Sequence, residues 1–188
     1  MWVVYAFGSA FFGGITSILA KCGIKQTDSN VATAIRTIVV WVCSWMMVFL
    51  VGSQKTIADV DMKSWVFLIL SGLATGASWL CYFRALQLGD INKVVSIDKS
   101  STVLTMLMAF AFLNETVTWL KILSIILIGS GTYCMLERKK SVSIEKRSRM
   151  WMVYALLSAL FAAFTAVLGK IGISGVESNL GTAIRTGV

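Results

Sequence analysis

WVVYAFGSAFFGGITSILAKCGIKQTDSNVATAIRTIV, residues 2–39, returns as WMVYALLSALFAAFTAVLGKIGISGVESNLGTAIRTGV at residues 151–188. Twenty of the 38 aligned positions are identical at a constant offset of 149, among them Thr-Ala-Ile-Arg-Thr at 33–37 and 182–186. This is an internal duplication, and a repeat of that length constrains architecture more than any local motif. Each copy opens on an apolar run of the kind that crosses a bilayer, which takes about 20 residues of helix.

Working outward, similar runs lie at 2–20, 31–52, 64–83, 94–113, 117–136 and 151–169, and a further one starts near Leu180. Of the 188 residues, 57% are apolar and 14% charged, with a mean hydropathy of +0.80. A soluble domain carries about 25% charged residues, so a water-soluble reading fails. We expect an all-α polytopic transmembrane bundle with six full spans and part of a seventh. The chain has no proline, so ring geometry breaks none of these helices. Only Met1 precedes the first run, so no basic region marks it as a cleaved signal.

The stretch after the fifth run carries Arg138, Lys139, Lys140, Lys146, Arg147 and Arg149. Lys21, Lys25, Arg84 and Lys93 fall on its side of the membrane, against Lys55, Lys63, Lys121 and Lys170 on the other. Ten against four places this linker in the cytoplasm and the N-terminus outside. Five spans, an odd number, separate the two copies, so the second enters the membrane in the opposite sense. That is the inverted repeat of secondary transporters, whose halves rock about a site at the midplane. The expected units are a five-helix repeat over 1–137, a basic linker over 138–150 and the start of a second repeat over 151–188. A complete second unit would end near residue 286.

The duplication also marks one face of the first helix. Trp2, Tyr5, Ser9, Phe12 and Thr16 share a side and reappear unchanged as Trp151, Tyr154, Ser158, Phe161 and Thr165. The opposite side changes freely among apolar or small residues. The unchanged stripe is therefore expected to face protein or a cavity in both copies.

Ionisable groups within spans mark paths or pairs. Of nine carboxylates, only Asp98 lies within a span. It heads a polar stripe with Ser101, Thr102 and Thr105 on the fourth helix, and Ser71, Thr75, Ser78 and Tyr82 form another on the third. Such stripes are costly against lipid and should turn inward. Trp79 and Tyr82 are candidates for a cavity wall. Arg36, repeated as Arg185, either pairs with Asp98, binds a substrate carboxylate through its planar fork, or snorkels to the interface. Gly72 and Gly76, Ser9 and Gly13, and Ala10 and Gly14 have the spacing that lets helix backbones approach closely.

The repeat segment YALLSALFAAFTAVLGKIGI, the stretch SGLATGASWLCYFRALQLGDINKVV and the ending FLNETVTWLKILSIILIGSGTY together resemble the EamA domain of the drug/metabolite transporter superfamily. Residues 2–137 cover one such domain and 151–188 the first quarter of another. The resemblance implies a five-helix unit, paired in tandem or as a homodimer, that moves small metabolites or drug-like solutes by alternating access, with export the expected direction. Ten-helix members keep both termini in the cytoplasm, which the charge count here opposes. A lipid-linked sugar flippase and a non-transporting membrane scaffold are the alternatives.

No catalytic constellation, metal cluster or phosphate-cradling loop stands in the sequence, so neither an enzyme nor a bound cofactor or metal is expected. There is no histidine, and the four cysteines lie far apart. The basic linker lacks any nucleic-acid recognition motif. The expected partners are membrane lipid and a small-molecule substrate, and the expected location is the bacterial inner (plasma) membrane.

Overall fold

The computed structural model describes residues 2–23, 28–113, 118–135 and 150–188. The basic linker thus lies outside the described residues, apart from Met150. Among the described residues eight α-helices follow in order: α1 (Trp2–Gly23), α2 (Ser29–Val51), α3 (Met62–Leu88), α4 (Ile91–Lys99), α5 (Ser101–Leu113), α6 (Trp119–Met135), α7 (Met150–Gly172) and α8 (Ser178–Gly187). A 3-10 segment, Ser53–Asp59, links α2 to α3, and no strand occurs among the described residues. The protein is an all-α polytopic helical bundle.

Among the described residues, five helical stretches are long and apolar enough to cross a membrane: α1, α2, α3, α7, and α4 with α5 over Ile91–Phe112. The expected fifth span, 117–136, holds the apolar helix α6, described over Trp119–Met135. Large apolar side chains such as Phe7, Leu50 and Phe112 stand exposed on the outer faces. Lipid is the solvent those faces suit.

The helices stop and start where local chemistry directs. The Asp28 carboxylate caps α2 by accepting from Asn30 N–H at 2.8 Å. Gly52, at φ 79°, closes the same helix in the left-handed conformation and returns its N–H to Val48 O. At the repeated position the Glu177 carboxylate caps α8, accepting from Asn179 and Leu180 N–H at 3.0 Å each.

The fourth span is not one helix. It is interrupted at Ser100, whose N–H reaches Ser96 O and Ile97 O at 3.2 and 3.1 Å. Proline is not needed for this break. Ser96 Oγ donates to Asn92 O and Ser100 Oγ to Ile97 O, and hydroxyls that bond the preceding turn compete with a helix's own ladder.

The long helix α3 is the hub. It runs antiparallel to α7 along its length, with Gly89 beside Trp151 at one end and Gly172 against Leu68 at the other. Two apolar clusters hold the ends. One joins Val48, Leu68, Leu180, Ala183 and Ile184, and the other Tyr82, Ala85, Leu86, Val94 and Ala155. A side chain at Gly72 would put its Cβ 2.5 Å from Arg185 O, so α8 approaches α3 as closely as glycine permits. Gly76, Gly13 and Gly14 have no such neighbour within 4 Å.

Lys21 Nζ, near the end of α1, donates to the carbonyls of Leu86 and Gly89 at the end of α3. Trp151, at the start of α7, packs against the same Gly89. The two copies of the repeated helix therefore run in opposite senses along α3. Their surroundings differ too. Ser158 is fully buried and Trp151, Tyr154, Phe161 and Thr165 are half-buried, whereas Tyr5 is 74% and Phe12 68% exposed, with Ser9 and Thr16 exposed as well. The expectation that the stripe faces protein holds for α7 and fails for most of α1, which has no helix against that side among the described residues.

Candidate functional site

The third-helix stripe turns toward α7. Ser71 Oγ donates to Thr165 O at 2.9 Å and Ser78 Oγ to Ser158 O at 3.0 Å, crossing between helices instead of returning to their own turn. Thr75 Oγ1 donates to Ser71 O at 2.7 Å and lies 3.4 Å from Thr165 Oγ1. On the far side, Ser158 Oγ donates to Asp98 Oδ1 at 3.2 Å. Asp98, in the last turn of α4, is thereby tied to α7, and through Ser158 to α3. Hydroxyls that bond across the interface give the helix pair a fixed register.

These groups enclose a cavity of about 150 Å³ lined by Thr75, Ser78, Trp79, Tyr82, Asp98, Ala162 and Thr165. One wall is aromatic: Trp79 and Tyr82 meet edge to face with ring centroids 5.4 Å apart. The Arg36 guanidinium stacks on the Trp79 ring, its central carbon 3.3 Å from the centroid. Arg36 therefore neither pairs with Asp98 nor snorkels free of the bundle; it closes the back of the aromatic wall. Tyr82 also donates its hydroxyl to Ser17 Oγ on α1 at 3.3 Å.

Of the residues singled out in the sequence, Thr75, Ser78, Trp79, Tyr82 and Asp98 meet at one cavity, with Arg36 behind it. Ser71 sits one turn along α3, beside Arg185 and Gly169. A Cβ on Gly169 would lie 3.1 Å from Arg185 Nη1 and 3.3 Å from Ser71 Oγ. Arg185 Nε is buried there with no hydrogen-bond partner among the described residues. Ser101, Thr102 and Thr105 do not line the cavity. Thr102 is exposed, and Thr105 Oγ1 returns to Ser101 O at 2.9 Å. The break at Ser100 separates their helix from the one that carries Asp98.

The contribution of α7 was missed by the choice of site residues. Ala162 and Thr165 line the cavity and Ser158 holds Asp98 beside it, and the signal for two of the three was present: Ser158 and Thr165 are unchanged from Ser9 and Thr16. The assembled groups are a carboxylate, several hydroxyls and two aromatic rings. They suit reversible binding of a small polar or amphipathic group. No cluster of three metal-type ligands occurs among the described residues.

The sequence profile of the EamA-like transporter family matches residues 1–137. An "Uncharacterized transporter in cobO 3'region" from Sinorhizobium sp is 40% identical over 130 residues, covering 69% of this chain and 92% of that protein. An "Uncharacterized transporter YxxF" from Bacillus subtilis (strain 168) is 28% identical over 124 residues, covering 64% of this chain and 40% of that protein. No solved structure matches.

Proposed function

The chain belongs to the EamA-like transporter family, and from that premise we propose that this integral membrane protein is a secondary transporter of small metabolites or drug-like solutes. The observation that carries the proposal is the cavity holding Asp98 between α3, α4 and α7, a polar chamber inside an apolar bundle. A carboxylate at such depth is costly and calls for a functional reason. At about 150 Å³ the chamber is smaller than the roughly 300–1,000 Å³ of ordinary small-molecule sites, so it must widen to admit a solute. Alternating access supplies that widening. The opposed senses of α1 and α7 along α3 support a pair of inverted units, with the site between them.

In this reading, Asp98 and the hydroxyls of Ser78 and Thr165 hold the polar part of the solute. Trp79 and Tyr82 flank its apolar part. Outward transport rests on the family resemblance, and the bacterial origin of both matched relatives supports the inner membrane.

The test is uptake and efflux of a solute panel in proteoliposomes and in cells expressing the chain. Asp98→Asn and Trp79→Ala are expected to lower transport by about tenfold or more, a typical cost of losing a charged hydrogen-bonding group or an aromatic wall. Thr102→Val, away from the cavity, is expected to match the parent. Wild-type transport by both cavity variants would overturn the assignment of the site. A strict need for long-chain lipid carriers would point to a flippase. Full cellular function in Asp98→Ala, Arg36→Ala and Thr105→Leu, with no solute moved, would point to a scaffold.

A further inference from the structure

A second cavity, of about 390 Å³, opens between α1, α2 and α3, walled by Thr16, Leu19, Ala20, Ile35, Arg36 and Phe83. Arg36 belongs to its wall, while Trp79, on which Arg36 stacks, belongs to the wall of the first cavity. The stacked pair is therefore shared by two chambers of contrasting chemistry. One is hydroxyl-rich and holds a carboxylate. The other is apolar, because Thr16 spends its hydroxyl on Phe12 O at 2.8 Å, and Arg36 is its one ionic group among the described residues.

Stacking occupies the face of a guanidinium and leaves its N–H donors, which lie in the plane, available. Among the described residues none hydrogen-bonds or ion-pairs with Arg36, whose guanidinium rests on the Trp79 ring. Nor are its nitrogens sealed away without partners, as Arg185 Nε is at the repeated position. A cation in a transmembrane helix with unspent donors and an apolar chamber beside it lacks an anion.

We propose that this second cavity binds an amphipathic organic anion, with its apolar body against Leu19, Ile35 and Phe83 and its acid group on Arg36. A carboxylate or phosphate accepts two parallel N–H bonds from the guanidinium edge, a geometry that a neutral alcohol cannot reproduce and an amine opposes. The cavity volume lies within the range of sites that enclose small molecules. The site does not depend on the transport reading, because it is defined by equilibrium binding.

The test uses the full chain in phosphatidylcholine nanodiscs, with radiolabelled decanoate as probe and empty nanodiscs as blank. Saturable decanoate binding is expected, with decanol and decylamine competing at least about tenfold more weakly. Arg36→Gln is expected to erase that preference, and Ala32→Phe, which fills the cavity from α2, to abolish binding. Circular dichroism on both variants establishes that the helices are retained. Displacement of decanoate by phosphatidylglycerol included in the nanodiscs would identify an anionic lipid as the bearer of the same chemistry. Retention of decanoate would identify a free anion. Equal binding of decanoate and decanol, or an unchanged preference in Arg36→Gln, would overturn the proposal.

Discussion

The first helix and the seventh are nearly the same peptide in two environments. Ala155, Ser158, Ala159 and Ala163 of α7 are buried against its neighbours; Ala6, Ser9, Ala10 and Gly14, their counterparts in α1, are exposed. The difference lies in what each helix meets. On α7, small residues let α3 approach until Ser71 and Ser78 reach backbone carbonyls across the gap. On α1, the same small residues meet no helix among the described residues, and α1 is tied to α3 chiefly at its end by Lys21. A face of small residues and hydroxyls thus encodes the ability to dock, and the neighbour decides whether it does.

The comparison can be broken most directly by overpacking. Ala159→Leu should destabilise the bundle by about 1–3 kcal/mol, as extra methylenes in a filled interface do. Ala10→Leu should stay within about 0.5 kcal/mol, as substitutions at open sites do. Thermal unfolding of both variants in detergent is the measurement. Equal losses would mean that α1 has a helix against this face in the membrane.

An intermediate effect is expected at the tether. Lys21→Met removes the donors to the carbonyls of Leu86 and Gly89 and should cost about 1–3 kcal/mol of local stability, the range for hydrogen bonds to charged groups. Hydrogen exchange should show faster exchange in α1 while α7 keeps its protection. Loss of protection in both helices would sink the idea that α1 hangs on this contact.

The smallest effect sharpens the comparison at the helix caps. Burial pushes the Glu177 carboxyl up, but hydrogen bonds from Leu180 and Asn179 N–H, the Ser53 hydroxyl and the Asn179 side chain outweigh it and hold it below the usual range. A depressed carboxyl adds stability that is fully present above its unfolded value of about 4.3 and is lost as pH falls through the folded value. The Asn179 and Leu180 amides should therefore lose protection in acid, once the expected pH dependence of exchange chemistry is removed. Glu177→Gln should flatten that loss, and an unchanged acid response in the variant would rule out Glu177 as its source.

The spans were legible in the sequence because run length and apolar content report directly on crossing a bilayer. The α3 stripe was legible for the same kind of reason: hydroxyls at helical spacing have few places to go in lipid. Pairings between distant segments were not. Arg36 lies about as deep as Asp98 by residue count, yet its partner is the face of Trp79, a contact no spacing rule announces. The break at Ser100 was missed because absence of proline was weighed and competition from hydroxyls was not. Thr102 and Thr105 were placed with Asp98 on the assumption of one continuous helix, and the break removes that assumption.

The hydroxyls of α3 also set a clock on biogenesis. Ser78 waits for a carbonyl 80 residues further along the chain, and Ser71 for one 94 residues on. At a synthesis rate of about 5–20 residues per second, α3 spends several seconds in or beside the insertion machinery before α7 exists to receive it. During that interval its polar side must turn back on its own helix or toward a helper, so the nascent chain is most exposed to mispairing and degradation between α3 and α7.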